Sequence, residues 1–154
     1  MSAVRTTPRD YTIKDAAALT GLPASTLRYY ESVGVIPPIS RGESSKHRVF
    51  DEDDLGQLLG IACLAATGMS VSDMKEYVAN SQHGAAAAAA QIELLTERRQ
   101  QLELEAQHIV LRQRYVDIKI DYWHAIDAGD EPRAALLAAE ASALADELHN
   151  TKRR

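Results

Sequence analysis

The chain reads as mainly α. Helix-starting and helix-stopping residues recur at helix-length intervals. From Ala85 onward no proline appears until Pro132, and an apolar repeat of seven runs along that stretch. Apolar residues make up 45% of the sequence and aromatics only 5%, which favours helices built on Leu, Ile and Ala. A chain of 154 residues is long enough to bury a core, as one compact domain with an addition or as two small units.

The first helix starts at Thr12, whose hydroxyl can accept from an early helical N–H while Asp15 reaches back in a T-x-x-D arrangement. Ala16, Ala17, Ala18 and Leu19 carry it to Thr20-Gly21, where glycine permits a sharp turn. Pro23 lacks a donor that a first helical turn does not need, so a second helix begins there and runs through Ser25, Thr26, Leu27, Arg28, Tyr29, Tyr30 and Glu31. Two short helices about a glycine turn make a helix-turn-helix candidate, and the same pattern fits an ordinary helical hairpin. Tyr29 and Tyr30 point about 100° apart on a helix, so at least one of them belongs to the core. Pro37-Pro38 cannot continue a helix and ends this element.

Charge is unevenly spread. The net value is −5, yet residues 1–50 hold seven Lys or Arg against four Asp or Glu. Residues 51–84 hold one against six, and residues 85–154 nine against twelve. Only the N-terminal third has the sign that a phosphate backbone attracts.

Asp51-Glu52-Asp53-Asp54 opens the second part. The run could suggest a metal site, but acids gathered at a helix N-terminus complement its dipole, and no suitably spaced partner ligands follow. A helix then runs through Leu55, Leu58, Leu59, Ile61, Ala62, Cys63 and Leu64 to Thr67-Gly68. Ser70 caps the next one, with Asp73 three residues on. This pair is expected to pack beneath the helix-turn-helix.

The third part follows His83-Gly84 with six alanines, Ala85 to Ala90, and continues as a long helix. Leu95, Leu102, Ile109, Val116 and Trp123 recur every seven residues, with Ile92, Ala106 and Ile120 on the companion row. That is a coiled-coil seam, interrupted by Arg99 and Gln113, and a seam needs a partner. Leu104, Leu111, Tyr115, Ile118 and Tyr122 form a second apolar row on the opposite side. Gly129-Asp130 marks a turn, and Pro132 to His149 carries Leu137, Ala141, Leu144 and Leu148 at helical spacing, a natural cover for that row. A partner's head is the other candidate cover. The closing Lys152-Arg153-Arg154 reads as a solvated end.

Tyr11-Thr12-Ile13, Thr20-Gly21, Leu27-Arg28-Tyr29-Tyr30-Glu31, Gly34, Pro37-Pro38, Arg48, Asp54-Leu55 and Gly68-Met69-Ser70 stand in the order and spacing of a known family. Over residues 11 to 78 the chain resembles the MerR family of bacterial transcription regulators. The resemblance implies a winged helix-turn-helix in which the second helix enters the major groove, a β-hairpin wing follows, and the long helices of two chains pair antiparallel. The implied organisation is a DNA-binding domain over residues 1–82, a dimerisation helix over 83–128, and a C-terminal helix and tail over 129–154. The implied DNA contacts are Thr12, Ser25, Thr26, Arg28, Tyr29, Tyr30, Arg41, Lys46, His47 and Arg48. The implied dimer contacts are Ile92, Leu95, Leu102, Ile109, Val116, Ile120 and Trp123.

The wing departs from the family's usual Ser-Gly-Tyr-Arg-x-Tyr. Here it reads Ser44-Ser45-Lys46-His47-Arg48-Val49-Phe50, one residue longer before Arg48 and without the glycine, so its tip must be shaped differently. Lys46 and His47 either add charge near phosphates or form a disordered basic tip.

Family members that sense mercury, copper or an iron–sulfur cluster use several cysteines, and those that take bulky organic cations carry a large C-terminal domain. This sequence has one cysteine, Cys63, and neither feature, so no metal or cofactor is expected. Cys63 matches the solitary cysteine of the family's aldehyde- and electrophile-responsive branch, and Ile118-Lys119-Ile120-Asp121-Tyr122 also resembles that branch. A thiolate there could be alkylated, or Cys63 could be a small buried apolar residue beside Ile61 and Leu64.

Five scattered histidines make no His-x-x-x-His pair, and there is no phosphate-binding glycine loop, so an enzyme is not expected. No apolar run reaches the roughly eighteen residues of a membrane span, and the N-terminus lacks a leader pattern, so the expected compartment is the cytoplasm. The resemblance as a whole implies a homodimer that binds and distorts promoter DNA for RNA polymerase, with electrophile sensing through Cys63. The alternatives are a non-covalent ligand between the long helix and the C-terminal helix, or a helical interaction protein without DNA binding.

Overall fold

A computed structural model describes residues 10–152. Residues 1–9, the stretch read above for a leader pattern, and the end of the basic tail, Arg153-Arg154, lie outside the described residues. The elements run α1 (Ile13–Thr20), α2 (Ala24–Val33), α3 (Glu52–Ala66), α4 (Val71–Ser81), a 3-10 turn (Gly84–Ala87), α5 (Ala88–Asp127), α6 (Glu131–Ala143) and α7 (Ala145–Asn150). The chain is therefore mainly helical. Among the described residues extended pairing is limited to two antiparallel bridges, Tyr11 with Phe50 and Arg41 with Arg48.

Local chemistry explains several helix ends. Thr12 and Asp15 exchange hydrogen bonds as a capping box, and so do Asp51 and Asp54. The acidic run at residues 51–54 is thus the start of α3, and among the described residues no cluster of three or more possible metal ligands occurs. Ser70 accepts from the Asp73 amide, and Asp130 from the Arg133 amide. Gly21 and Gly34 close α1 and α2 with φ of 74° and 85°, a conformation that side chains disfavour. The segment after Gly129 forms two helices, α6 and α7, that divide at Leu144. No glycine or proline marks the division.

The chain separates into two compact units, Met1–Thr96 and Glu97–Arg154. The first has a core of Ala16, Leu27, Tyr30, Val35, Ile36, Phe50, Leu55, Leu58, Ile61 and Met74, drawn from all four of its leading helices and the connector after α2. The Tyr11 amide donates to the Phe50 carbonyl and the Phe50 amide to the Tyr11 carbonyl, each at 2.8 Å. The Tyr11 hydroxyl adds a bond of 2.8 Å to Glu52 Oε1.

In the second unit Ile118, Ala125, Ala134, Leu137, Ala141 and Leu144 are buried together, with Leu111, Tyr115, Tyr122 and Leu148 packed against them. The row Leu111-Tyr115-Ile118-Tyr122 is therefore covered by the chain's own C-terminal helices. Leu104, nearer the start of that row, is outside the cluster and half-buried. Among the described residues no helix is long and apolar enough to cross a membrane.

Candidate nucleic-acid interface

The sequence of α2 separates an inner from an outer face. Leu27 and Tyr30, three residues apart, are buried, whereas Ser25, Arg28 and Tyr29 are exposed and Thr26 is intermediate. Of the adjacent tyrosines Tyr30 is 7% exposed and Tyr29 51%, with ring centroids 6.2 Å apart. Tyr30 is thus a core residue, not an accessible surface group. The rotation between neighbouring helical positions forces that division.

Residues 40–49 form a short hairpin. The Val49 amide donates to the Ser40 carbonyl at 2.8 Å, Gly42 to the His47 carbonyl at 2.9 Å, and Lys46 to the Gly42 carbonyl at 3.0 Å. Lys46 takes the left-handed conformation itself, with φ of 58°, in place of the glycine that the wing lacks. The tip therefore turns through a lysine. Arg41 and Arg48 face each other across the bridge. Arg41 Nη1 donates to the Lys46 carbonyl at 3.2 Å, while Arg48 Nε lies 3.2 Å from Glu31 Oε2.

Thr12, Lys14, Arg28, Arg41, His47 and Arg48, together with Asp10, Tyr11, Ile13, Ser45 and Val49, line one cleft of about 370 Å³. Four Lys or Arg side chains and a histidine thus converge from α1, α2 and the hairpin onto one surface, with one acid, Asp10, among them. Such a surface attracts polyanions. Ser25, Thr26, Tyr29 and Lys46 lie outside this lining. Sequence reasoning missed Lys14, whose signal was its place two residues after the Thr12 cap, and Glu31, whose partner is distant in the chain. The Thr12 amide, 3.0 Å from Asp15 Oδ2, holds the Asp15 carboxyl below its ordinary 3.8, with the Thr12 hydroxyl and Lys14 acting in the same sense.

Cys63 is exposed on α3. The alternative that made it a small buried residue is corrected by helix geometry: Ile61 faces the core, and two positions onward the side chain has turned about 200° away. On the neighbouring face of α3, Gly56, Gly60, Ile61 and Leu64 meet Pro37, Tyr77 and Val78 around a groove of about 350 Å³.

On α5 the seven-residue row stays uncovered. Leu102, Ile109, Val116, Ile120 and Trp123 are exposed in the second unit, and Ile92 and Leu95 in the first. Trp123 packs edge-on against Tyr122 with centroids 5.3 Å apart.

A family profile described as MerR HTH family regulatory protein matches residues 11–81. The HTH-type transcriptional regulator AdhR of Bacillus subtilis is 38% identical over 90 residues, which are 58% of this chain and 64% of AdhR. The regulator YyaN of the same organism is 41% identical over 68 residues, 44% of this chain and 49% of its own length. The chain thus spans about half to two thirds of these curated relatives.

Solved structures extend the likeness further along the chain. HiNmlR, a MerR family regulator lacking the sensor domain and crystallised bound to promoter DNA, gives a TM-score of 0.67 at 25% identity, covering 84% of this chain and 96% of that one. A Listeria monocytogenes chain assigned to the MerR family of transcriptional regulators gives 0.65 at 32% identity, covering 84% and 98%. The matched relatives are regulators rather than enzymes. With its capped helix-turn-helix, short hairpin and long following helix, the chain belongs to the MerR HTH family of regulatory proteins.

Proposed function

We propose that the protein binds promoter DNA as a homodimer and regulates transcription. The observation that carries this is the cleft where Thr12, Lys14, Arg28, Arg41 and His47 converge beside the outer face of α2. In this reading α2 enters the major groove, with Ser25, Thr26, Arg28 and Tyr29 toward the DNA. Arg41, Lys46 and His47 meet flanking phosphates, which set register while base edges set preference. The structure of HiNmlR on promoter DNA, alike over most of this chain, supports it.

Residues 1–82 are then the DNA-binding head and 83–128 the dimerisation helix. The exposed heptad row Leu102-Ile109-Val116-Trp123 is the surface offered to a second copy, since the other apolar row is already covered by α6 and α7. Residues 129–154 supply that cover. RNA polymerase and a cytoplasmic location follow from the family's role. Distortion of the operator would be offset by backbone contacts.

Cys63 is proposed as a sensor of aldehydes or other electrophiles. Its exposure leaves the sulfur open to attack by a small reagent. A second reading is a non-covalent ligand, favoured by a pocket of about 340 Å³ between α5 and α7 lined by Arg112, Tyr115, Leu148 and His149.

Run-off transcription from the promoter upstream of its own gene tests both levels. Arg28→Ala abolishes promoter binding if the cleft is the interface; unchanged binding points instead to a helical interaction protein. Induction by a small aldehyde that disappears in Cys63→Ser identifies the sensor. Equal responses in the two proteins send the search to the α5–α7 pocket.

A further inference from the structure

On the DNA-binding role proposed above, we infer that Glu31 is a positioning residue that holds the hairpin against α2 through Arg48, and that Arg48 supplies geometry rather than charge to DNA binding. Glu31 sits near the end of α2. Its Oε2 accepts from Arg48 Nε at 3.2 Å and from the Ile39 amide at 3.4 Å. One carboxylate oxygen therefore joins three pieces of chain: the recognition helix, the connector beyond Pro37-Pro38, and the returning arm of the hairpin. The pair is largely shielded, with side chains 19% exposed for Arg48 and 17% for Glu31, so water and salt screen it less than a surface pair.

The hairpin needs such a counter-charge. Arg41 and Arg48 are directly opposed across its bridge, and like charges in that position repel. Glu31 neutralises Arg48, which leaves exposed Arg41, whose Nη1 rests on the Lys46 carbonyl, as the guanidinium placed to meet phosphate. A cation that already has an anion 3.2 Å away releases little counterion when DNA arrives. Removing Arg48 should thus weaken binding through loss of hairpin placement, without changing how steeply binding depends on salt.

The test is fluorescence anisotropy of the full chain, across a series of KCl concentrations, on a duplex spanning the promoter upstream of its own gene and on an unrelated duplex of equal length. Circular dichroism checks that each variant folds. Glu31→Gln and Arg48→Gln are each expected to weaken promoter binding about tenfold, and the double variant to be no weaker than either single one. The salt slope should not fall in either, whereas Arg41→Gln should lower it by about 0.9. Arg48→Gln lowering the slope as Arg41→Gln does, losses that multiply in the double variant, or a Glu31→Gln protein of wild-type affinity would each overturn the inference. If Glu31→Gln does not fold, Arg48→Lys replaces it. Lysine keeps the positive charge but loses the Nε donor, so weakened binding supports the strut and unchanged binding overturns it. A wild-type protein that does not prefer the promoter duplex fails at the earlier step, and the DNA-binding role falls with the inference.

Discussion

The Lys46 amide donates to the Gly42 carbonyl across 3.0 Å, and it does so from a left-handed backbone, φ 58°, at a residue with a full side chain. The hairpin thus turns through a lysine in a conformation that glycine adopts more easily. The conformation costs a non-glycine residue about 1 kcal/mol, most of which glycine avoids. Lys46→Gly is therefore expected to leave stability unchanged or raise it by up to about 1 kcal/mol in a urea titration, while Lys46→Val lowers it. Promoter affinity should move the opposite way in Lys46→Gly, because a cation beside the cleft is lost.

Asp15 carries a pH signature. Its carboxyl is held below the ordinary 3.8 by the Thr12 amide, the Thr12 hydroxyl and Lys14. A folded-state value lower than the unfolded one stabilises the fold above the unfolded value and loses that effect as pH falls through the folded one. The start of α1 should hold at mildly acidic pH and fray only at pH below 3.8. An NMR titration of the Thr12 amide reads the midpoint directly; Thr12→Ala moves it upward, and a midpoint at or above 3.8 in the wild type would contradict the capping geometry.

The second unit offers a contrast of two exposed apolar positions. Val116 lies in the heptad row of α5, and Leu136, 73% exposed, lies on α6. Val116→Arg is expected to convert a dimer into a monomer in sedimentation velocity, whereas Leu136→Arg leaves the assembly intact. Loss of the dimer in Leu136→Arg alone would move the interface to the C-terminal helices.

In the first unit the largest penalty should come from α2's inner face. Leu27 is 1% exposed and packs into the core beneath the cleft. Leu27→Ala should cost about 2 to 5 kcal/mol of unfolding free energy, the usual range for a cavity left by a buried leucine. Arg28→Ala, one residue along and exposed, should cost under about 0.5 kcal/mol while abolishing promoter binding.

Thr12, Asp51 and Ser70 could be read as helix starts because a cap is satisfied within three residues of itself, and Gly21 as a turn because only glycine sits easily at its φ. The cover over Tyr115 and Ile118 was legible from the helical spacing of Leu137, Ala141 and Leu144. Longer-range features were not. The contact of Glu31 with Arg48 spans 17 residues and depends on where two prolines send the chain. The left-handed Lys46 has no propensity signal at all. The two units part between Thr96 and Glu97 inside an uninterrupted helix, so no glycine, proline or composition shift marks the place. Leu144 divides α6 from α7 in the same silent way.

The reciprocal bonds between Tyr11 and Phe50 make the polypeptide between them a closed ring. Its ends are stitched by two backbone bonds of 2.8 Å and clipped to α3 by the Tyr11 hydroxyl. α1, α2 and the hairpin all belong to this ring, and Ala16, Leu27, Tyr30, Val35, Ile36 and Phe50 from within it share one core with residues of α3 and α4. A protease that nicks the exposed tip at residues 43–46 would therefore cut a loop, not a tether. The two fragments should stay together as a non-covalent complex and part only when the core itself melts.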